Sequence, residues 1–235
     1  MRSHQTEILE KIGNKSYGGL SFDFAFSLTN ESDRGGILIG TGKVEDFLEQ
    51  LLLTLIPRSS KSYKSRLFDY PGPMSSLSGK IELLYAFRII DQTLYNSLTA
   101  LRKIRNQAAH STDTFSLETI SEQLKLVFLF EENFPQVIAH LAYENLIKSK
   151  LMQIKEAFEK SDFKDVDYQK IWEEEYPNPK ENESIQQQLR VWELSYAMTF
   201  LCLKIEAVAD DYKALQSNRL TWAEIMVENT SLSQV

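Results

Sequence analysis

The sequence predicts an all-α protein, an antiparallel helical bundle with additional helices at its C-terminal end. Three observations predict this. Chain breakers are few, with 9 glycines and 6 prolines in 235 residues, so long stretches can stay wound. Apolar residues recur at helical spacing over most of the chain. Good cap residues (Ser32, Ser75 or Ser76, and Asp91) stand just ahead of three such stretches. Hydrophobic residues make up 43% and charged residues 25%, the values of a chain that buries a core rather than one that stays disordered.

Three regions follow along the chain. Residues 1–19 are polar, end in Tyr17-Gly18-Gly19 and form a lead-in. Residues 20–130 carry the helical core, and residues 131–235 form a C-terminal extension packed on it. At the start of the core, Phe22, Phe24 and Phe26 alternate as in a strand, whereas Leu20, Phe24 and Ser27 fit a helix equally well. Ser32 then caps a helix whose apolar face, Ile37 to Leu55, runs on until Pro57 stops it. Gly35, Gly36, Gly40 and Gly42 lie inside this helix, each costing it about 1 kcal/mol relative to alanine. A close approach of another helix or of a ligand would offset that cost, because glycine has no Cβ.

Residues 57–74 read as a basic loop followed by a Pro-Gly turn. The next helix starts at Ser75 or Ser76 and turns Leu77, Ile81, Leu84 and Ala86 or Phe87 inward. Asp91 caps another, with Leu94, Leu98, Leu101 and Ile104 inward, which runs to His110 and breaks at Ser111-Thr112-Asp113-Thr114. Residues 116–130 and 135–160 are helical by period, residues 178–183 are a loop, and a long helix covers about 184–214.

The composition narrows the function. The net charge is −7, which argues against a broad surface for direct DNA binding, since phosphate neutralisation supplies much of such affinity. A small basic site stays open. One cysteine, Cys202, precludes an intramolecular disulfide or a cysteine zinc finger, and among apolar neighbours it suits a core. The first ten residues lack the apolar run of a signal peptide. The run Leu51-Leu52-Leu53-Thr54-Leu55-Ile56 is too short for a bilayer. A cytoplasmic protein with no membrane segment is expected.

Motif by motif, most candidates fail. Gly35 to Lys43 does not fit a Walker A loop, because Ile37 stands where its first glycine belongs and Val44 where Ser or Thr belongs. His140 and Glu144 share a helix face, but two ligands do not make a metal site. No metal or cofactor is expected. The run Glu173-Glu174-Glu175 suits a solvated face.

The segment Arg102-Lys103-Ile104-Arg105-Asn106-Gln107-Ala108-Ala109-His110 is different. Residues 102, 106 and 110 are spaced by four, so Asn106 lies one turn beneath His110 and could orient its imidazole. Arg105 lies about 140° round the helix from His110. Fraying after Ala108, or a twofold partner, is needed to aim both at one target. Such a pair suits metal-free RNA cleavage, with His110 moving a proton and Arg105 stabilising the charge that develops on phosphorus. Arg58, Lys61, Lys64 and Arg66 offer contacts to an RNA backbone. The same residues also suit a structural use, in which Arg105 makes an ion pair and His110 caps a helix end.

Four blocks occur in order: Glu31-Ser-Asp-Arg-Gly35, Leu67-Phe-Asp-Tyr-Pro-Gly-Pro73, Leu77-Ser-Gly-Lys-Ile81 and Leu101-Arg-Lys-Ile-Arg-Asn-Gln-Ala-Ala-His110. Together they resemble the signature blocks of the mannitol operon repressor (MltR-like) family, over roughly residues 20–125. Ala108 and Gly79 depart from that pattern, where a large aromatic and an alanine are common. The fourth block also resembles the Arg-polar-x-x-x-His motif of the HEPN superfamily. Those are all-helical domains that often pair as dimers, and many are metal-independent ribonucleases of toxin–antitoxin or phage-defence systems. By that resemblance Arg105 and His110 match the catalytic pair and Asn106 the polar residue. A homodimer with RNA as substrate is implied. The repressor resemblance implies instead a transcriptional regulator working through a protein partner, and a non-catalytic RNA-binding module is a third outcome. Asp33, Arg34, Lys80 and Arg102 are expected to line the cleft of Arg105 and His110, or, for the first three, to tie helices together through buried ion pairs.

Overall fold

A computed structural model describes residues 22–56, 60–111, 115–159 and 167–217. The expected lead-in of residues 1–19 and Arg58 lie outside the described residues. Among the described residues all regular structure is helical. In chain order the helices are α1 (Phe22–Thr29), α2 (Asp33–Leu55), α3 (Lys61–Phe68), α4 (Leu77–Ala86), α5 (Gln92–His110), α6 (Ser121–Val127), α7 (Phe134–Glu159), α8 (Tyr168–Glu175) and α9 (Glu183–Ser217). None of the described helices is long and apolar enough to cross a membrane.

Cap chemistry places most of the starts. Ser32 Oγ accepts from the Gly35 amide at 3.1 Å, Ser76 Oγ from Gly79 at 3.1 Å, and Asp91 Oδ1 from Leu94 at 2.8 Å, each satisfying an amide the helix itself leaves open. The stretch with alternating phenylalanines winds as α1, burying Ala25 and Leu28. The basic loop is partly a helix: Ser60 caps α3 by accepting from the Tyr63 amide at 3.2 Å, and Phe68 packs on the core. The Pro-Gly turn follows, with Met74 N donating to Leu67 O at 2.9 Å. A Cβ on Gly72 would lie 2.5 Å from two carbonyl oxygens of the preceding helix, so only glycine fits. Gly79 is held as tightly, 2.4 Å from the Pro73 oxygen to any Cβ it might carry.

Three boundaries differ from expectation. Helix α4 stops at Ala86, and a left-handed Arg88 (φ 57°) reverses the chain into α5. Phe87 is therefore 68% exposed, and neither it nor Ala86 turns inward. Of residues 116–130 only α6 is α-helical, the flanks being turns. Helix α8 was not expected at all; it forms around a buried Trp172 whose ring lies 4.5 Å from that of Tyr176.

The last described helix, α9, carries a large share of the core. Its 35 residues span about 52 Å, and it packs on α1, α2 and α7. Ser195 and Thr199 sit in this core because each hydroxyl donates to the carbonyl four residues back. Helices α4 and α5 run antiparallel, Tyr85 stacking on Tyr95 across a short turn. So do α5 and α6, and α7 and α9. The pair α2 and α9 runs parallel: Gly36 faces Leu194 and Gly40 faces Met198, equal steps along both helices. No short loop joins these two, so connection length does not dictate their direction.

Candidate functional site

Helix α5 presents two faces. Leu94, Leu98, Leu101, Ile104 and Ala108 are buried, at 1% exposure or less, so the helix is anchored along its length. The other face leaves Lys103, Arg105, Asn106, Gln107 and His110 exposed and Arg102 half-buried. The helix stays wound to His110, where Ser111 N closes on Gln107 O at 2.9 Å. It does not fray after Ala108. Arg105 and His110 therefore keep the separation of an ideal helix, about 140° in azimuth and about 7.5 Å along the axis. Asn106 Oδ1 accepts a long bond of 3.4 Å from Arg105, so the bond it makes is to the guanidinium and not to the imidazole one turn on.

The first turn of α2 is brought to this end. Arg34 Nη1 donates to Ser111 O at 3.1 Å, directly after His110. Asp33 Oδ2 accepts from the Leu117 amide at 2.8 Å. Together they clasp both sides of the segment that leaves α5. Ser32 begins α2 just here, so the helix start and the clasp are one construction. Four cationic or protonatable side chains (Arg102, Lys103, Arg105 and His110) thus crowd the C-terminal turns of α5, where the helix dipole favours positive charge.

Lys80 is elsewhere. Its ammonium is buried and bonds Glu45 at 2.9 Å and Glu49 at 3.0 Å. Glu45 lies eleven residues beyond Arg34 on α2, about 16 Å along the helix. The expectation that Lys80 lines the same cleft as His110 is thereby corrected: it ties α4 to α2. Burial pulls its pKa down, but the bonds and charges of the two glutamates outweigh burial and hold it above the ordinary lysine value.

The other basic residues lie on a different helix. Lys61, Lys64 and Arg66 ride on α3, with Arg66 over the Tyr63 ring at 5.7 Å. The remaining candidates are structural. Cys202 is buried, and burial pushes its thiol up to about 12. His140 and Glu144 form an exposed pair at 3.5 Å. No cluster of three metal-ligating side chains occurs among the described residues.

Sequence reasoning missed one feature. A groove of about 750 Å³ runs between α5 and α6, lined by Asn96, Thr99, Lys103 and Gln107 on one side and Gln123, Leu126 and Leu129 on the other. The four α5 residues lie on the row that leads to His110, a spacing visible in the sequence. The second wall was not, because nothing local shows that α6 and the turn after it leave two leucines uncovered.

Comparison with family models, with curated proteins and with solved structures finds no match to this chain.

Proposed function

We propose that this protein is a HEPN-like, metal-independent endoribonuclease, working in the cytoplasm as a homodimer, in the manner of a toxin or defence effector. The observation that carries the reading is the exposed cationic end of α5 on a chain of net charge −7. Of the four sequence blocks, three are absorbed by the fold. Ser32, Asp33 and Arg34 cap and clasp, Gly72 makes a turn, and Ser76, Gly79 and Lys80 start and anchor α4. The fourth places side chains at the surface that the fold does not use, and those side chains suit phosphoryl transfer.

In this reading the 2′-oxygen of the substrate attacks the adjoining phosphorus and the bond to the 5′-oxygen breaks. His110 either removes the 2′-hydroxyl proton or supplies one to the leaving oxygen. Arg105 stabilises the charge gathered on the equatorial oxygens. The azimuth between them means that His110 of one protomer works with the arginine of its twofold mate. The products are a 2′,3′-cyclic phosphate and a 5′-hydroxyl.

The test is cleavage of a mixed RNA pool by the purified protein in EDTA, beside His110→Ala and Arg105→Ala. Cleavage is expected to fall by about a hundred- to ten-thousandfold in each variant. Melting temperatures should not move, because both side chains are exposed. Dimeric wild type that leaves RNA intact, or a His110→Ala chain that cuts as well as wild type, overturns the reading.

A further inference from the structure

The groove between α5 and α6 lies beside the proposed cleavage site and has an unusual lining for this molecule. In a chain with 33 acidic and 26 basic residues, no carboxylate lines it and its one charge is Lys103. Asn96 and Gln107 each carry both a donor and an acceptor. Thr99 Oγ1 is a buried hydroxyl in its wall with no hydrogen-bond partner. Opposite them Leu126 and Leu129 are 52% and 53% exposed and form an apolar patch, with Gln123 beside it. A cation, amide edges and an apolar face are the three complements of a nucleotide: its phosphate, its base edge and its base face.

The position on the helix gives the groove a direction. Gln107 and His110 are neighbours at i, i+3, and Lys103 lies two turns below His110, about 10 Å away. A strand whose phosphate sits at His110 can lay its adjoining base along Gln107, Lys103 and Asn96. The volume of about 750 Å³ is that of a small-molecule cleft.

We infer that the α5–α6 groove is the base-binding subsite for the RNA strand cut at His110, and that it selects single-stranded substrate by taking one unpaired base next to the scissile phosphate. This inference rests on the endoribonuclease reading. A second copy of the chain is the competing occupant. The charge and the two amide side chains favour nucleic acid, since a self-association face this size would be expected to be more apolar at its centre.

The test uses the full chain. Fluorescent single-stranded RNA oligonucleotides of each single base are titrated against His110→Ala, alone and combined with Lys103→Glu, Gln107→Ala or Leu126→Ser. Each groove change should weaken binding by about tenfold. In the wild-type background, Gln107→Ala should shift the base preference found by sequencing the cut ends. Photo-crosslinks from 4-thiouridine RNA should map to peptides of α5 or α6. Unchanged KM and base preference in all groove variants of a protein that does cut would sink the subsite and leave the nuclease standing. If wild type cuts nothing yet the groove variants still lose RNA binding, the groove holds RNA and the cleavage reading falls. If wild type neither cuts nor binds, both fall. Should Leu126→Ser split the dimer in sedimentation while RNA binding persists, the groove is a self-association face and the inference is wrong.

Discussion

Asp91 starts the helix that carries the candidate site, and its carboxylate is committed to that task. Oδ1 accepts from the Leu94 amide at 2.8 Å and from the Thr93 hydroxyl at 2.7 Å. Partial burial pushes its pKa up, but these bonds, with the charge of Lys204, outweigh burial and hold it below the ordinary carboxylate value. Losing the cap in Asp91→Ala is expected to cost about 1 kcal/mol, read from thermal or urea melts. The sign with pH follows from the lowered pKa. The stabilisation is present above the unfolded value of about 3.9 and is lost as pH falls through the lower folded one. Asp91→Asn keeps a cap but not the titration, so the difference between wild type and this variant should shrink in melts run at progressively lower pH. A difference that does not change with pH would mean the carboxylate charge contributes nothing here. His110 and Arg105 stand at the opposite extreme. Both are exposed, so substitutions there report on chemistry rather than on folding.

Between elements, two glycines on one helix make opposite predictions. A Cβ on Gly40 would lie 2.9 Å from Cγ of buried Met198 on α9, whereas a Cβ on Gly42 meets nothing within 4 Å. Gly40→Ala should therefore cost about 1–3 kcal/mol through overpacking. Gly42→Ala should stabilise by about 0.5–1 kcal/mol through helix propensity and a less flexible unfolded chain. Equal shifts in Cm for the two would show that α9 does not pack on α2 as described. Lys80 joins α4 to the same helix. Lys80→Met leaves Glu45 and Glu49 facing each other one turn apart, for a loss of about 1–3 kcal/mol, moderated because both carboxylates reach solvent. Adding Glu45→Gln and Glu49→Gln should recover most of it. The raised lysine pKa makes this stabilisation full below about 10.4 and lost as pH climbs through the folded value, which melts across alkaline pH will show. These pairs also mark what the sequence makes legible. Ser32, Ser76 and Asp91 are readable because a cap is local chemistry. The starts of α3 and α8 have equally local caps in Ser60 and Asp167, but each helix has only 8 residues, too few for a clear period. The placement of Lys80 on Glu45, and the parallel run of α9 on α2, depend on registers between distant segments that no local pattern carries. The same holds for the site: the row of four ending at His110 is legible, whereas the clasp of Arg34 and the leucine wall of the groove come only from tertiary packing.

At the scale of the whole molecule, the fold holds Arg105 and His110 apart. Helix α5 is buried along Leu94 to Ala108 and wound to its last residue, so no local adjustment closes an azimuth of about 140°. The proposed nuclease therefore needs two chains, with the arginine of one meeting the histidine of the other across a twofold axis. Such an arrangement makes a prediction that a one-chain site does not. Arg105→Ala and His110→Ala proteins are each inactive alone. When subunits of the two are exchanged, mixed dimers carry one composite site with both groups intact and one with neither. With random exchange half the dimers are mixed and half their sites work, so about a quarter of wild-type cleavage should return. The measurement is RNA cleavage before and after mixing, with subunit exchange followed by a mass tag on one variant. Mixing that yields tagged heterodimers but no cleavage would rule out the composite site, and with it the twofold arrangement proposed to bring arginine and histidine to one phosphate.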